Sequence, residues 1–168
     1  MNEGLLSYGS SPAKNPFNEW ARENMQAAKY ESGMDDSPMY IDVAFNKEKH
    51  TMELQDVGLN GLYISDCNAL IEIAQILDRS ETKELKQRAS ELKKTLDQIW
   101  DQETGLYLNY NTKVDTLSKR ISPTLFYPLM AAVPSNKKAK QMLSHFYNED
   151  ELGGEFILPS IARNDPLF

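Results

Sequence analysis

The stretch from Leu59 to Leu77 sets the tightest limit on what this chain can fold into. On a helical wheel, Leu59, Leu62, Tyr63, Asp66, Leu70, Ile73 and Leu77 fall on one stripe. Ile64, Cys67 and Ile71 widen the apolar arc on one side and Ile76 on the other. An arc that wide predicts a helix buried on most of its sides. Asp66 sits in mid-stripe, where a carboxylate is costly unless paired or hydrogen-bonded, so a structural, bonded Asp is expected there. Cys67 reads as a small core residue, since no histidine stands at a telling distance.

The following segment has the opposite character. Ser80 serves as a cap, and a helix is expected to about Trp100. Its apolar residues, Leu85, Ala89, Leu92, Leu96, Ile99 and Trp100, form a narrow stripe among Lys, Glu, Gln and Arg. The alternation then recurs. Ser122-Pro123 opens an apolar helix to about Val133, kinked or started late by Pro128. Ser135 to Tyr147 is again one-sided, with Ala139, Met142, Leu143 and Phe146 inward. A mostly buried helix followed by a surface helix, twice over, is what concentric rings of helices require. The expected class is therefore all-α, built of helical hairpins.

The connections are punctuated by turn residues. Asn15-Pro16 starts a helix from about Phe17 to Tyr30, with Phe17, Trp20, Ala21, Met25 and Ala28 on one face. Met39 to Phe45 reads as short and extended, and 47–57 as polar connection of unassigned structure. Asp101 to Gly105 is a turn, and the alternation in Leu106 to Asn111 makes a short β-hairpin between helices. Residues 153–166 read as a long loop carrying Arg163 and Asp165 among Pro and Gly.

Composition excludes several classes. The 168 residues are 40% hydrophobic and 26% charged, which are globular values for one domain. A net charge of −7 leaves no basic patch to neutralise phosphates, so no nucleic-acid partner is expected. One cysteine rules out an intrachain disulfide framework, and His50 and His145 give no metal-ligand spacing, so neither metal nor cofactor is expected. No apolar run is long enough for a membrane span. The first residues show no signal peptide, which leaves the compartment open with the cytoplasm as default.

The chemistry concentrates in Glu31-Ser32-Gly33-Met34-Asp35-Asp36-Ser37-Pro38. Glycine allows a sharp bend and proline stops helix continuation, so Glu31 closes a helix and the two aspartates project from the loop beyond it. Adjacent acids repel, and burying one raises its pKa toward the range useful for a general acid. A solvated acidic turn is the plainer reading of the same residues.

This octapeptide resembles the acid motif of glycoside hydrolase family 63 and its relatives, the processing α-glucosidases and mannosylglycerate hydrolases. The resemblance implies that Asp35 is the catalytic proton donor, presented from a loop inside an (α/α)6 toroid. Asp36 departs from a common Asn of the motif and adds a charge beside the acid. The Trp-Asp-x-x-Thr-Gly-x-Tyr pattern from Trp100 to Tyr107 resembles the family's inter-helix hairpin, whose Tyr107 and Tyr110 either face a sugar or pack the hairpin. The Pro-Ser-x-x-Arg-x-Asp-Pro pattern at 159–166 resembles a segment lining the sugar pocket. By the same resemblance Glu31, Tyr40, Arg163 and Asp165 are the substrate-contact candidates. An Arg163–Asp165 pair fixing the loop is the structural alternative.

The resemblance implies inverting hydrolysis of an α-glucoside or α-mannoside. It also implies a domain that 1–168 covers incompletely, with fewer helices than a closed ring and without the carboxylate that activates water. The isolated chain is then expected to hydrolyse poorly or not at all, to expose apolar helix faces, and either to self-associate through them or to fold marginally. Two other readings compete. A helical-hairpin protein-interaction module is opposed by the lack of a recurring period. A cation site at Asp35-Asp36 is opposed by the absence of EF-hand spacing.

Overall fold

Helix α2, Val57–Ile76, begins where Asp56 leaves extended backbone and its carboxylate accepts the Leu59 N–H at 2.9 Å. The computed structural model describes residues 4–10, 24–80, 82–156 and 158–168. Helix α1, Asn24–Ser32, precedes α2; α3, Thr82–Leu96, and α4, Asn136–Tyr147, follow it. Of the helix expected from Phe17, the part before Asn24 lies outside the described residues. The described part runs two residues past Tyr30 and buries Ala28 as expected.

The buried side of α2 is not the stripe that hydrophobicity alone marks. It is Val57, Gly58, Asn60, Gly61, Ile64 and Cys67. Two glycines decide this. A Cβ at Gly61 would lie 2.8 Å from the Pro128 nitrogen, and one at Gly58 would lie 2.8 Å from the Thr124 Cβ. The helix backbone thus rests directly on the segment 123–129, an approach only a residue without a side chain allows. Rotated that way, α2 leaves Asp66 in solvent, so the carboxylate needs no buried partner. Leu70, Ile73, Ile76 and Leu77 are also left exposed, with Ile76 at 82%. The anticipated apolar surface is therefore present, on the second half of α2.

Helix α3 behaves as its narrow stripe predicts. It buries Ala89, Leu92 and Leu96 against α2, with Leu85 packed beside them. It stops at Leu96, passes through a 3₁₀ turn at Asp97–Ile99, and gives Trp100 to strand β4. Helix α4 is capped by Ser135, whose hydroxyl accepts the Lys138 N–H at 3.4 Å, and buries Met142. Between them the expected α-helix at 122–133 is instead a 3₁₀ helix, Pro123–Leu129. Pro128 lies inside it and has no N–H to donate to an α-helical ladder.

The all-α expectation needs correction as well. Seven two-residue strands form three small antiparallel sheets among the described residues. Strand β1, Phe45–Asn46, pairs with β2, Thr51–Met52. Strand β3, Leu54–Gln55, pairs with β6, Tyr110–Asn111, which pairs with β7, Thr116–Leu117. Strand β4, Trp100–Asp101, pairs with β5, Leu106–Tyr107, forming the expected hairpin. Met39 to Phe45 is largely not extended, because Ser37 caps a 3₁₀ turn at Pro38–Tyr40.

Buried amides join these pieces. The Asn109 carboxamide oxygen accepts the Val57 N–H at 2.7 Å, fixing the β5–β6 connection to the start of α2. Asn60 accepts the Leu6 N–H at 2.9 Å and donates to Leu6 O at 3.0 Å, holding the N-terminal segment as a paired strand would. Tyr40 donates to the Asp56 Oδ2 at 3.3 Å from within a second, smaller core of Ala28, Met39, Met52 and Leu54. No described helix is long and apolar enough to cross a membrane.

Two outcomes follow from this packing. Gly61→Ala, which helix propensity alone would favour by about 1 kcal/mol, instead destabilises the fold by at least ~1 kcal/mol in urea unfolding, because its Cβ meets backbone that cannot yield. Burial pushes the Asp56 carboxyl above the usual carboxylate range. Its folded form holds the proton more tightly than the unfolded chain, so its contribution is complete below about pH 4 and is lost as pH rises through the raised value. Asp56→Asn keeps a capping oxygen and removes that fall, whereas Asp56→Ala loses the cap at about 1 kcal/mol; unfolding at pH 4 and pH 7 separates the two.

Candidate active site

The acidic octapeptide closes α1 and turns the chain back. Gly33 adopts φ +66°, the left-handed geometry that ends a helix, and its N–H donates to Tyr30 O at 3.2 Å. The Ser32 hydroxyl donates to Lys29 O at 2.6 Å and accepts the Met34 N–H at 3.1 Å. A turn then forms from Met34 to Ser37, closed by Ser37 N–H to Met34 O at 3.0 Å. Asp35 and Asp36 are its two central residues, half-buried and exposed respectively. Ser37 is buried; its hydroxyl accepts the Met39 N–H at 3.3 Å and donates to Ser160 O at 3.0 Å. That last bond ties the acidic turn to the C-terminal loop.

Asp35 and Asp36 face a cavity of about 290 Å³ shared with Lys29, Pro38, Ile41 and Leu167. A larger one, of about 620 Å³, lies between Asp42, Asn111, Lys119, Arg120, Asn164 and Asp165. Neighbouring residues line the two: Ile41 and Leu167 the first, Asp42 and Pro166 the second. They form one polar face made by the acidic turn, the β6–β7 region and the C-terminal loop.

Arg120 holds this face together. It donates to Asp165 Oδ1 at 2.7 Å and Oδ2 at 3.0 Å, and to Asp42 Oδ2 at 2.6 Å. The sequence offered no sign of it, because Arg120 lies in Leu117-Ser118-Lys119-Arg120-Ile121, outside any motif or periodic stripe. Asp42 was missed for the same reason.

The substrate-contact candidates fall in different places. Asp165 joins the polar face through Arg120. It does not pair with Arg163, so the structural alternative of an Arg163–Asp165 bridge is corrected. Arg163 turns the other way and donates to three carbonyls, Glu151 O at 3.2 Å, Gly153 O and Phe156 O. Its guanidinium stands 5.9 Å from the Phe168 ring centre. It organises the loop around it. Glu31 is exposed on the last turn of α1 and lines neither cavity. Tyr40 is 1% exposed with its hydroxyl on Asp56, a core position rather than a substrate-facing one.

The two hairpin tyrosines are also bound within the protein. Tyr107 is fully buried and packs edge-on against Trp100 at 4.9 Å. Its hydroxyl donates to Asp97 at 2.8 Å, and burial together with that carboxylate raises its pKa. Hairpin packing is therefore the role the structure gives Tyr107. Tyr110 is half-buried and bonds Asp115. Among the described residues no cluster of three or more His, Cys, Asp or Glu is arranged to hold a metal ion.

Residues 16–168 match the family described as the mannosylglycerate hydrolase MGH1-like glycoside hydrolase domain. The chain belongs to this family. Solved structures share its fold. A family 63 mannosylglycerate hydrolase from Thermus thermophilus, in complex with glucose, is 18% identical, with a TM-score of 0.68 over 83% of this chain and 44% of that one. Neutral trehalase Nth1 from Saccharomyces cerevisiae is 22% identical, with a TM-score of 0.64 over 84% of this chain and 26% of that one. A cytosolic neutral trehalase from Kluyveromyces lactis is 31% identical over 68 residues, covering 40% of this chain and 9% of the relative. The MGH1-like chain thus spans less than half the length of these relatives.

The loop role of Arg163 has a direct check. Arg163→Lys loses the planar fork that reaches several carbonyls at once, so hydrogen exchange quickens at the loop amides of Gly153 and Leu158, which bond Asn148 O and Leu152 O, and stability falls by about 1–2 kcal/mol.

Proposed function

We propose that this chain supplies the general-acid part of an α-glycosidase site, with Asp35 donating a proton to the leaving glycosidic oxygen. The observation that carries this reading is the place of Asp35. It stands at the centre of a hydrogen-bonded turn, half-buried, over a cavity whose far wall is the C-terminal loop. A carboxyl in such a position is aimed by the backbone and has room for a ring-sized ligand beside it. Family membership and the shared fold support a carbohydrate as that ligand.

The helices and their connections would form part of an (α/α)6 toroid, with α2 toward the inner ring and α3 and α4 outward. The reaction would be inverting. A second carboxylate would activate water on the opposite face of the sugar, about 6.5–9.5 Å from Asp35. No residue described in this chain is assigned that role. α-Glucosides and α-mannosides are the substrate classes to test, because the relatives are a mannosylglycerate hydrolase and trehalases.

Asp35 lies in a partly exposed turn, so replacing it changes folding little while removing the transferable proton. With this chain alone, hydrolysis of α-glucosides and α-mannosides stays near background, and titration with D-glucose shows binding that Asp35→Ala weakens. In any assembly that restores turnover, Asp35→Asn lowers kcat by about 10²–10⁴-fold with thermal stability unchanged. Turnover that survives Asp35→Asn would take the acid role away from this residue. Robust turnover by the chain alone, abolished by Asp35→Asn, would place both carboxylates within it.

A further inference from the structure

We propose that Arg120 is a positioning residue that sets the width of the Asp35 cavity by holding two of the residues that line it, Ile41 and Leu167; this rests on the glycosidase reading of that cavity. Both share that lining with the acidic turn and Lys29. Each is joined to Arg120 within two residues. Asp42, next to Ile41, accepts from one guanidinium nitrogen at 2.6 Å. Asp165, two residues before Leu167, takes the other nitrogen with both its oxygens, at 2.7 and 3.0 Å. The chain of bonds continues, because Asp165 Oδ1 also accepts the Leu167 N–H at 2.9 Å. The position of Leu167 is therefore set by Asp165, and that of Asp165 by Arg120.

The clamp has a fixed base. Ser118 N–H donates to Asn109 O at 2.7 Å, and Ile121 O accepts the Ala162 N–H at 2.8 Å. Asn109 and Ser122 are buried. Arg120 thus rises from backbone locked to the core, and its side chain passes that position to two loops. Its arms are unequal. The Asp165 side chain is 8% exposed and that of Arg120 20%, so the bond between them is shielded from water and salt. Asp42 is 76% exposed, and its arm is the weaker. Without the guanidinium, Asp42 and Asp165 would face each other as two uncompensated carboxylates, and their repulsion would open the cavity that Asp35 overlooks.

Lysine can keep the charge but cannot bridge two carboxylates with a planar fork, so Arg120→Lys is the informative variant. It is expected to shift the NMR resonances of both the Leu167 amide and the Ile41 methyl groups and to weaken D-glucose binding by roughly tenfold, a size ordinary for one lost charge-assisted contact. Asp42→Asn moves Ile41 and leaves Leu167; Asp165→Asn does the reverse. Glu84→Gln, which cuts the surface Arg88–Glu84 pair, leaves both unmoved. Unchanged Leu167 and Ile41 resonances in Arg120→Lys would overturn the clamp. Shifted resonances with unchanged glucose affinity would overturn it too, since Arg120 would then be structural only. If the wild-type chain takes up no glucose, it is the glycosidase reading that fails. The clamp is then decided by the Asp35 carboxyl carbon resonance at fixed pH, which Arg120→Lys displaces if Arg120 sets this cavity and leaves alone if it does not.

Discussion

The fold depends on two backbones being allowed to touch. Gly58 and Gly61 let α2 lie against the 3₁₀ helix Pro123–Leu129 with no side chain between them. That contact fixes the rotation of α2, and with it which residues are core and which face water. It also fixes where α2 begins, and so where Asp56 must sit. Burial leaves that carboxyl reliant on the Leu59 and Gly58 amides and the Tyr40 hydroxyl for its hydrogen bonds. A hydrophobic contact would leave some freedom to slide. A glycine-on-proline contact does not, because every displacement either clashes or opens a void.

From this fixed centre the polar bonds work outward in order. Asn109 and Asn60 attach the hairpin region and the N-terminal segment to the first turn of α2. Tyr40 attaches the small core under α1 to the same point. Only then come the loops of the polar face, held by Ser37 on Ser160 and by Arg120 on two aspartates. The face carrying Asp35 is thus joined to the glycine contact only through these intervening bonds. Functional groups on loops held by a rigid scaffold follow this general arrangement.

Much of this was readable beforehand, and the parts that were not share a cause. Helices α2, α3 and α4 were legible because their apolar residues recur at helical spacing; the α3 stripe names its buried residues correctly, whereas of the α4 stripe Met142 is buried, Ala139 and Phe146 are half-buried and Leu143 faces water. The facing of α2 was not, because glycine carries no hydrophobic signal and yet permits the closest packing. Asp66 was placed inside for that reason. The 3₁₀ helix was half legible in Pro128, which the helical reading treated as a kink or a late start. The acidic turn was the clearest local signal, since glycine, serine and proline each have one structural task in it. Arg120 was invisible, because ion pairs between residues 78 and 45 positions apart leave no local pattern.

One more junction has an optical consequence. The Lys138 ammonium of α4 stands 4.7 Å from the Trp100 ring and 5.1 Å from that of Tyr107, and bonds Asp97 at the end of α3. A single indole therefore senses the meeting of two helices and a hairpin. A cation and a phenol ring at this range tune its ultraviolet emission, so undocking of α4 changes the colour and intensity of light from Trp100. The molecule carries its own gauge of whether α4 is seated against the end of α3 and the hairpin.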